Sequence, residues 1–290
     1  MKLIKITFLM LCIFLMSQLA LAVAVSTHDI TGAKVILSKP ASRLVALSPS
    51  SVEVLYEIGA GDKIVATVDY ADYPAAAKKL PRVGNAFGVS IDAIVRYQPD
   101  LVIAWKSQAQ DKVIERLREL GIPVYLTNPL EFEDIAHDME SLGQLTGLRS
   151  VANKAAAKYR ARLSDLRKRF SHRKPIKVFM QINESPIFTV NDKSHIGQVI
   201  KICGGRNVFA NASALAPQVS IEAVVRAAPQ AIFVTLTQRF DMWLSWGIIP
   251  AVAKKALYAL PDDLVARTGP RLPEGIEIFC KKIDEARSLY

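Results

Sequence analysis

Val89-Ser-Ile-Asp-Ala-Ile-Val-Arg-Tyr-Gln-Pro-Asp-Leu-Val-Ile103 and Val219-Ser-Ile-Glu-Ala-Val-Val-Arg-Ala-Ala-Pro-Gln-Ala-Ile-Phe233 are two copies of one pattern, 130 residues apart. Each copy starts with a serine, whose side-chain oxygen suits an N-cap because it accepts from an N–H that the first helical turn leaves unpaired. A short apolar-periodic helix follows, and Pro99 or Pro229 stops its continuation. The apolar run after each proline, from Leu101 and from Ala231, reads as a strand buried on both faces. A helix followed by a doubly buried strand, met twice, predicts two α/β units with parallel sheets.

Working outward, both halves carry a second strand–helix–glycine unit. In the first, Leu44 to Leu47 is a strand and Ser48-Pro49 opens a helix that ends at Gly59-Ala60-Gly61. In the second, Lys177 to Gln181 is a strand, and a helix from about His195 ends at Gly204-Gly205. Glycine just past a helix supplies its left-handed cap. Between the halves, Ser150 to His172 holds no Gly or Pro, and Val151, Ala155, Lys158, Tyr159, Arg162, Leu163 and Leu166 recur at helical spacing. This predicts one long helix of roughly 34 Å acting as a stiff strut. The expected organisation is an N-terminal lobe over 23–147, a linker helix over 148–173 and a C-terminal lobe over 174–290. In fold-class terms, this is α/β with two Rossmann-like lobes joined by a long backbone helix.

The first 22 residues read as a secretory signal peptide. Lys2 and Lys5 form a basic start, Ile6 to Leu19 is almost wholly apolar, and Ala20-Leu21-Ala22 offers a small-x-small cleavage site. Export places the mature chain in an oxidising compartment with two cysteines, Cys203 and Cys280, which predicts one disulfide. The formal charge of +10 falls to +8 once Lys2 and Lys5 are removed. Much of the positive charge lies in the linker, spread around the helix and not gathered into a basic patch with interleaved aromatics, which argues against nucleic-acid binding.

No catalytic constellation emerges. His28, His137, His172 and His195 lack metal-ligand spacing with one another or with a cysteine. There is no nucleophile elbow, P-loop or dinucleotide fingerprint. No resident cofactor or metal is expected, and the chain reads as a binding protein rather than an enzyme. Polar and aromatic residues instead gather just after predicted strands, where doubly wound sheets bind ligands: Asp69-Tyr70-Ala71-Asp72-Tyr73-Pro74, Asn85-Ala86-Phe87-Gly88, and Trp105. Tyr70, Phe87 and Trp105 offer rigid flat area, and Tyr70 and Trp105 add a hydrogen-bonding tip, which suits a large planar or macrocyclic ligand. Asp92 and Glu222 occupy matching places in the repeat, each two residues after its capping serine. There they interact favourably with the positive end of the helix dipole and could equally present one acid per lobe to a basic partner.

Arg43-Leu-Val-Ala-Leu-Ser-Pro-Ser50, Gly59-Ala-Gly-Asp62, Tyr73-Pro74, Pro99-Asp-Leu-Val-Ile103, Cys203-Gly-Gly-Arg-Asn-Val-Phe209 and Gly269-Pro-Arg-Leu-Pro-Glu-Gly275 resemble the periplasmic binding proteins of iron-complex and vitamin B12 importers. Val178-Phe-Met-Gln181 and Pro217-Gln-Val-Ser220 point to the vitamin B12 branch. The resemblance implies a monomeric periplasmic protein with a rigid backbone helix and a Cys203–Cys280 disulfide. It implies that Asp92 and Glu222 dock onto arginines of an ABC importer permease. It aligns Tyr70, Trp105 and Asp263 with residues lining a cobalamin pocket. Other pocket aromatics are replaced here by Ala86, Ile182, Ala216 and Leu264, with Phe87 beside one gap. Cobalamin is the first expected ligand. An iron–siderophore or haem is the alternative: haem would want an axial Tyr70 or Tyr73, and an anionic siderophore would want basic groups such as Arg82 and Arg271. A chelatase-like enzyme of similar two-lobed shape is the remaining alternative.

Overall fold

The computed structural model describes residues 24–85, 88–235 and 239–290. The signal-peptide reading and Phe87, with Ala86 beside it, lie outside the described residues. The chain opens with an antiparallel pair, β1 (Val25–His28) and β2 (Lys34–Leu37). There follow β3 (Leu44–Ala46), α1 (Pro49–Glu57), β4 (Ile64–Thr67), the short pair β5 (Gly84–Asn85) and β6 (Gly88–Val89), α2 (Ile91–Arg96), β7 (Leu101–Trp105), α3 (Asp111–Glu119) and β8 (Val124–Thr127). Strands β3, β4, β7 and β8 make one parallel sheet in the order β4-β3-β7-β8. Leu101, Val102, Ile103 and Ala104 are all fully buried, as a strand covered on both faces requires.

Helix α4 (Phe132–Leu145) leads into α5 (Arg149–Phe170), the long helix between the two sheets. The second lobe comprises β9 (Ile176–Gln181), α6 (His195–Ile202), β10 (Gly205–Asn207), α7 (Ile221–Ala227), β11 (Ala231–Thr235), α8 (Pro250–Ala253), β12 (Leu257–Leu260), α9 (Asp262–Val265) and α10 (Leu272–Arg287). Its parallel sheet runs β10-β9-β11-β12. In both sheets the first parallel strand sits between the second and the third, with the fourth outermost. The repeat in the sequence is therefore a repeat of topology.

The likeness extends to side chains. Asp100 accepts the backbone N–H of Arg43 at 3.0 Å, and Gln230, its counterpart in the repeat, accepts that of Lys177 at 2.9 Å. Gln98 and Ala228, the residues before the two prolines, both take left-handed backbone angles, with φ of 46° and 49°. One turn geometry thus ends both copies before the chain enters the central strand.

Helix α5 buries Tyr159, Leu163 and Leu166 as its apolar spacing suggests, but at its first turns the buried stripe is rotated. Ala152, Ala156, Tyr159, Leu163, Leu166 and Phe170 face inward, while Val151 is 48% exposed. Close packing against α4 explains the rotation. A Cβ on Gly143 would come within 2.1 Å of the Ala152 Cβ, so only this small pair lets the two helices approach so closely. Val151 in that place would hold them apart. The opposite end of α5 packs on α6 and α10 of the second lobe, so one continuous helix is anchored in both.

Candidate ligand cleft and docking helices

In open parallel sheets a crevice forms beyond the carboxyl ends of the strands, where neighbouring connections depart in opposite directions. Here those points lie between β3 and β7 and between β9 and β11. Helix α1 begins at the first of them, capped by Ser48, whose Oγ accepts from the Ser51 N–H at 3.1 Å. The loop after β4 carries Tyr70, Asp72 and Tyr73. The segment after β12 carries Asp263, Arg267 and Arg271 from the other lobe.

Salt bridges join these two sets across the lobes. Arg271 grips Glu53 with two nitrogens, Nη2 to Oε1 at 2.7 Å and Nε to Oε2 at 2.9 Å, and its Nη1 meets Asp263 at 2.9 Å. Arg267 Nη1 reaches Glu53 at 3.1 Å and Asp72 at 2.8 Å, while its Nη2 donates to the Tyr70 carbonyl at 3.1 Å. The Glu53 side chain is 2% exposed, and those of Arg271 and Arg267 are 14% and 19% exposed. Burial pulls the Asp72 carboxyl upward, but the hydrogen bond and charge of Arg267 outweigh it and hold the group below its usual range. Burial draws both guanidinium pKa values down, and their carboxylate partners more than restore them. Asp72 and the two arginines therefore stay charged at neutral pH.

Of the sequence-predicted ligand residues, Tyr70 and Asp263 take part in this network. Tyr70 is 77% exposed, with φ at 63°. A bulky residue in the left-handed region is strained, and such strain concentrates at binding sites. Tyr73 lies beneath Arg271, whose Cζ sits 3.8 Å from the ring centroid, so its face is already covered by a cation. Trp105 ends β7, half-buried and in register with Thr127 of β8. Asp263 is tied to Arg271 and remains partly open to solvent. The structure thus brings Tyr70, Tyr73 and Asp263 to one network and puts Trp105 at the carboxyl edge of the first sheet.

The two basic residues considered for an anionic ligand are already engaged. Arg82 donates to the carbonyls of Val68, Ala71 and Ala77 at 2.8, 3.0 and 3.2 Å, so it holds the loop after β4 in place. Every guanidinium nitrogen of Arg271 meets a carboxylate. His195 is half-buried, and its ring bonds the Val265 carbonyl at 3.1 Å. Desolvation lowers its pKa, only partly offset by that bond. Glu53 and Arg267 were not singled out by sequence reasoning. A signal existed for Glu53: it interrupts the run Val52, Val54 and Leu55, all buried. Among the described residues, no group of three or more His, Cys, Asp or Glu could hold a metal ion.

The docking candidates sit on paired helices. Ser90 caps α2 by accepting from the Ala93 N–H at 3.2 Å, and Ser220 caps α7 by accepting from the Ala223 N–H at 3.3 Å. Asp92 and Glu222 lie in the first turns, exposed to solvent. The Ser220 hydroxyl and the Glu222 backbone N–H hold the Glu222 carboxyl below its usual range. In the second lobe, Cys203 at the end of α6 is bonded to Cys280 in α10, with Cα atoms 4.6 Å apart and both residues fully buried. A groove of about 720 Å³ opens elsewhere, on the flank formed by Leu130, Phe132, Lys193, Gln198 and Leu215, and includes none of the predicted site residues.

Comparison with known proteins agrees with this architecture. The family model described as periplasmic binding protein matches residues 44–264. A vitamin B12-binding protein of Vibrio campbellii is 36% identical over 86% of this chain and 91% of its own length. The crystal structure of the periplasmic vitamin B12 binding protein BtuF of Vibrio cholerae superposes with a TM-score of 0.80 at 35% identity, covering 86% of this chain and 98% of that one. The periplasmic heme-binding protein RhuT from Roseiflexus sp. RS-1 shares the fold, with a TM-score of 0.73 at 22% identity over 84% of this chain and 98% of its own. With its two like-wound lobes, its spanning helix and its match through residues 44–264, the chain belongs to the periplasmic binding protein family, a family of binding proteins rather than enzymes.

Proposed function

We propose that this protein captures cobalamin in the interlobe cleft and delivers it to an ABC importer. In this reading the signal peptide of residues 1–22 is cleaved on export to the periplasm. The mature monomer has its lobes at 23–147 and 174–290, with the linker at 148–173. Tyr70, Phe87, Trp105 and Asp263 contact the ligand, and Asp92 and Glu222 dock one lobe each onto the permease. The observation that carries the reading is the near full-length likeness to vitamin B12-binding proteins, at 36% identity.

Two features of the chain support it. The strained, exposed Tyr70 and, at the carboxyl end of β7, Trp105 supply flat area for a corrin face. The repeat gives matched, exposed acids on both lobes, the arrangement a two-armed dock onto a symmetric basic partner needs. A haem ligand is the second reading, favoured by the exposed Tyr70 phenol as an axial donor. The acids around the cleft work against its propionates. Calorimetric titration of the chain lacking Met1–Ala22 with cyanocobalamin, haemin and a ferric hydroxamate decides between them. Saturable one-to-one binding of cyanocobalamin is expected. Binding of haemin alone transfers the ligand assignment to haem.

A further inference from the structure

Helix α1 faces the core with Val52, Val54 and Leu55, yet places a charged residue, Glu53, among them at 3% exposure. A carboxylate is buried in such a position only when fully paired. Glu53 meets that condition with partners more than 200 residues away, accepting from Arg271 through both oxygens and from Arg267 through Oε1. Two-pronged arginine–carboxylate pairing fixes orientation as well as charge. Uncompensated, two neighbouring guanidiniums at a cleft would make a trap for carboxylates or phosphates. Here they are shared among Glu53, Asp72 and Asp263. Three carboxylates against two guanidiniums leave one negative charge in excess. The carboxylates turned to solvent are the outer two, with Asp72 at 52% and Asp263 at 45% side-chain exposure.

We propose that Glu53 is a specificity-determining positioning residue: by holding Arg267 and Arg271 as compensated pairs, it makes the cleft accept ligands with an uncharged, amide-bearing rim and reject those that carry carboxylates. The inference rests on the cobalamin reading and deepens it. A primary amide donates N–H to Asp72 or Asp263, whereas a carboxylate meets like charge in a cleft whose low-dielectric walls concentrate the field. Glu53 itself does not reach the ligand. It acts through the two arginines, which without it would each present an unpaired prong to the cleft.

The test compares cyanocobalamin with its monocarboxylate, in which one propionamide has been hydrolysed, by calorimetry on the chain lacking Met1–Ala22. The corrin is unchanged and one negative charge is added. Wild type is expected to bind the acid at least roughly tenfold more weakly, with the gap narrowing at high salt as the charges are screened. Glu53→Gln leaves two carboxylates against two guanidiniums, and the ratio is expected to fall to within about threefold. Asp72→Asn makes the same charge change at a partly exposed position outside the core and is expected to narrow the ratio too, so the test survives if Glu53→Gln does not fold. Equal affinities for the two corrinoids in wild type overturn the proposal. So does a ratio that both variants leave unchanged, because a purely structural ion pair would alter stability without altering selectivity. If neither corrinoid binds, the cobalamin reading fails. A neutral and a carboxylate-bearing ferric hydroxamate, compared in the same way, then decide the charge selectivity separately.

Discussion

Removing the Cys203–Cys280 bond should weaken the second lobe far more than the first. The bond joins the end of α6 to the middle of α10 across a sequence separation of 77. Both elements belong to the second lobe. Closing a loop of that length in the unfolded chain corresponds to about 4.5 kcal/mol at room temperature if chain entropy dominates. Both cysteines are fully buried, so reductant should reach the bond only through local opening of this lobe. The assay is urea unfolding of oxidised protein and of the Cys203→Ala/Cys280→Ala variant. Both would carry Trp105→Phe, which leaves Trp243 and Trp246 of the second lobe as the fluorescent reporters. With a denaturant slope near 3 kcal/mol per molar, the midpoint should fall by about 1.5 M. A fall below about 0.3 M, or a fall as large when Trp105 alone reports, would refute the reasoning. The first result would mean that the unfolded lobe is already restricted without the bond. The second would mean that the lobes unfold as one unit.

Two further predictions concern the first lobe. Asp138 is buried beneath Tyr125, whose hydroxyl donates to it at 2.7 Å, and Thr127. Desolvation raises its pKa to about 6 despite those two hydrogen bonds. The folded state therefore holds this proton more tightly than the unfolded chain. The cost of ionising it is absent below about pH 4, grows as the pH rises, and is complete above about pH 6, at roughly 3 kcal/mol. Asp138→Asn should remove that fall from a plot of unfolding free energy against pH, and parallel curves for variant and wild type would rule the assignment out. Gly143→Ala puts a methyl where the Ala152 Cβ already lies, so α4 and α5 must separate. Thermal or urea unfolding should show a loss of about 1–3 kcal/mol, whereas a neutral outcome would show that this helix pair shifts freely.

What could be read from the sequence follows from how each feature is encoded. The doubled pattern around Ser90 and Ser220 is local: cap, helix, proline and strand lie within fifteen residues, and each cue acts on its neighbours. Two such units in one chain already imply two parallel sheets, and the common strand order bears that out. The face of α5 was legible at Tyr159, Leu163 and Leu166 but not at its start, because Val151 and Ala152 are both apolar and only the approach of Gly143 decides between them. The Glu53 network was harder still. Its members are separated by 214 and 218 positions, and no periodicity links residues that meet only after both lobes have formed. Tyr70 stood out by residue type and place, but its left-handed backbone did not. That conformation depends on the adjoining strand edge, where the Asp69 N–H donates to the Gly84 carbonyl at 2.9 Å, and on the Arg267 bond from the other lobe.

Capture and delivery are separable, and the measurement that probes both is uptake of radiolabelled cyanocobalamin by proteoliposomes containing a vitamin B12 ABC importer and ATP. Wild-type protein should drive uptake. Asp92→Ala/Glu222→Ala should bind the ligand with an affinity within about twofold of wild type and yet fail to drive uptake, because the two acids, in the first turns of α2 and α7, are proposed to dock the protein and not to hold the ligand. Full uptake with the double variant, or loss of ligand affinity in it, would contradict the account.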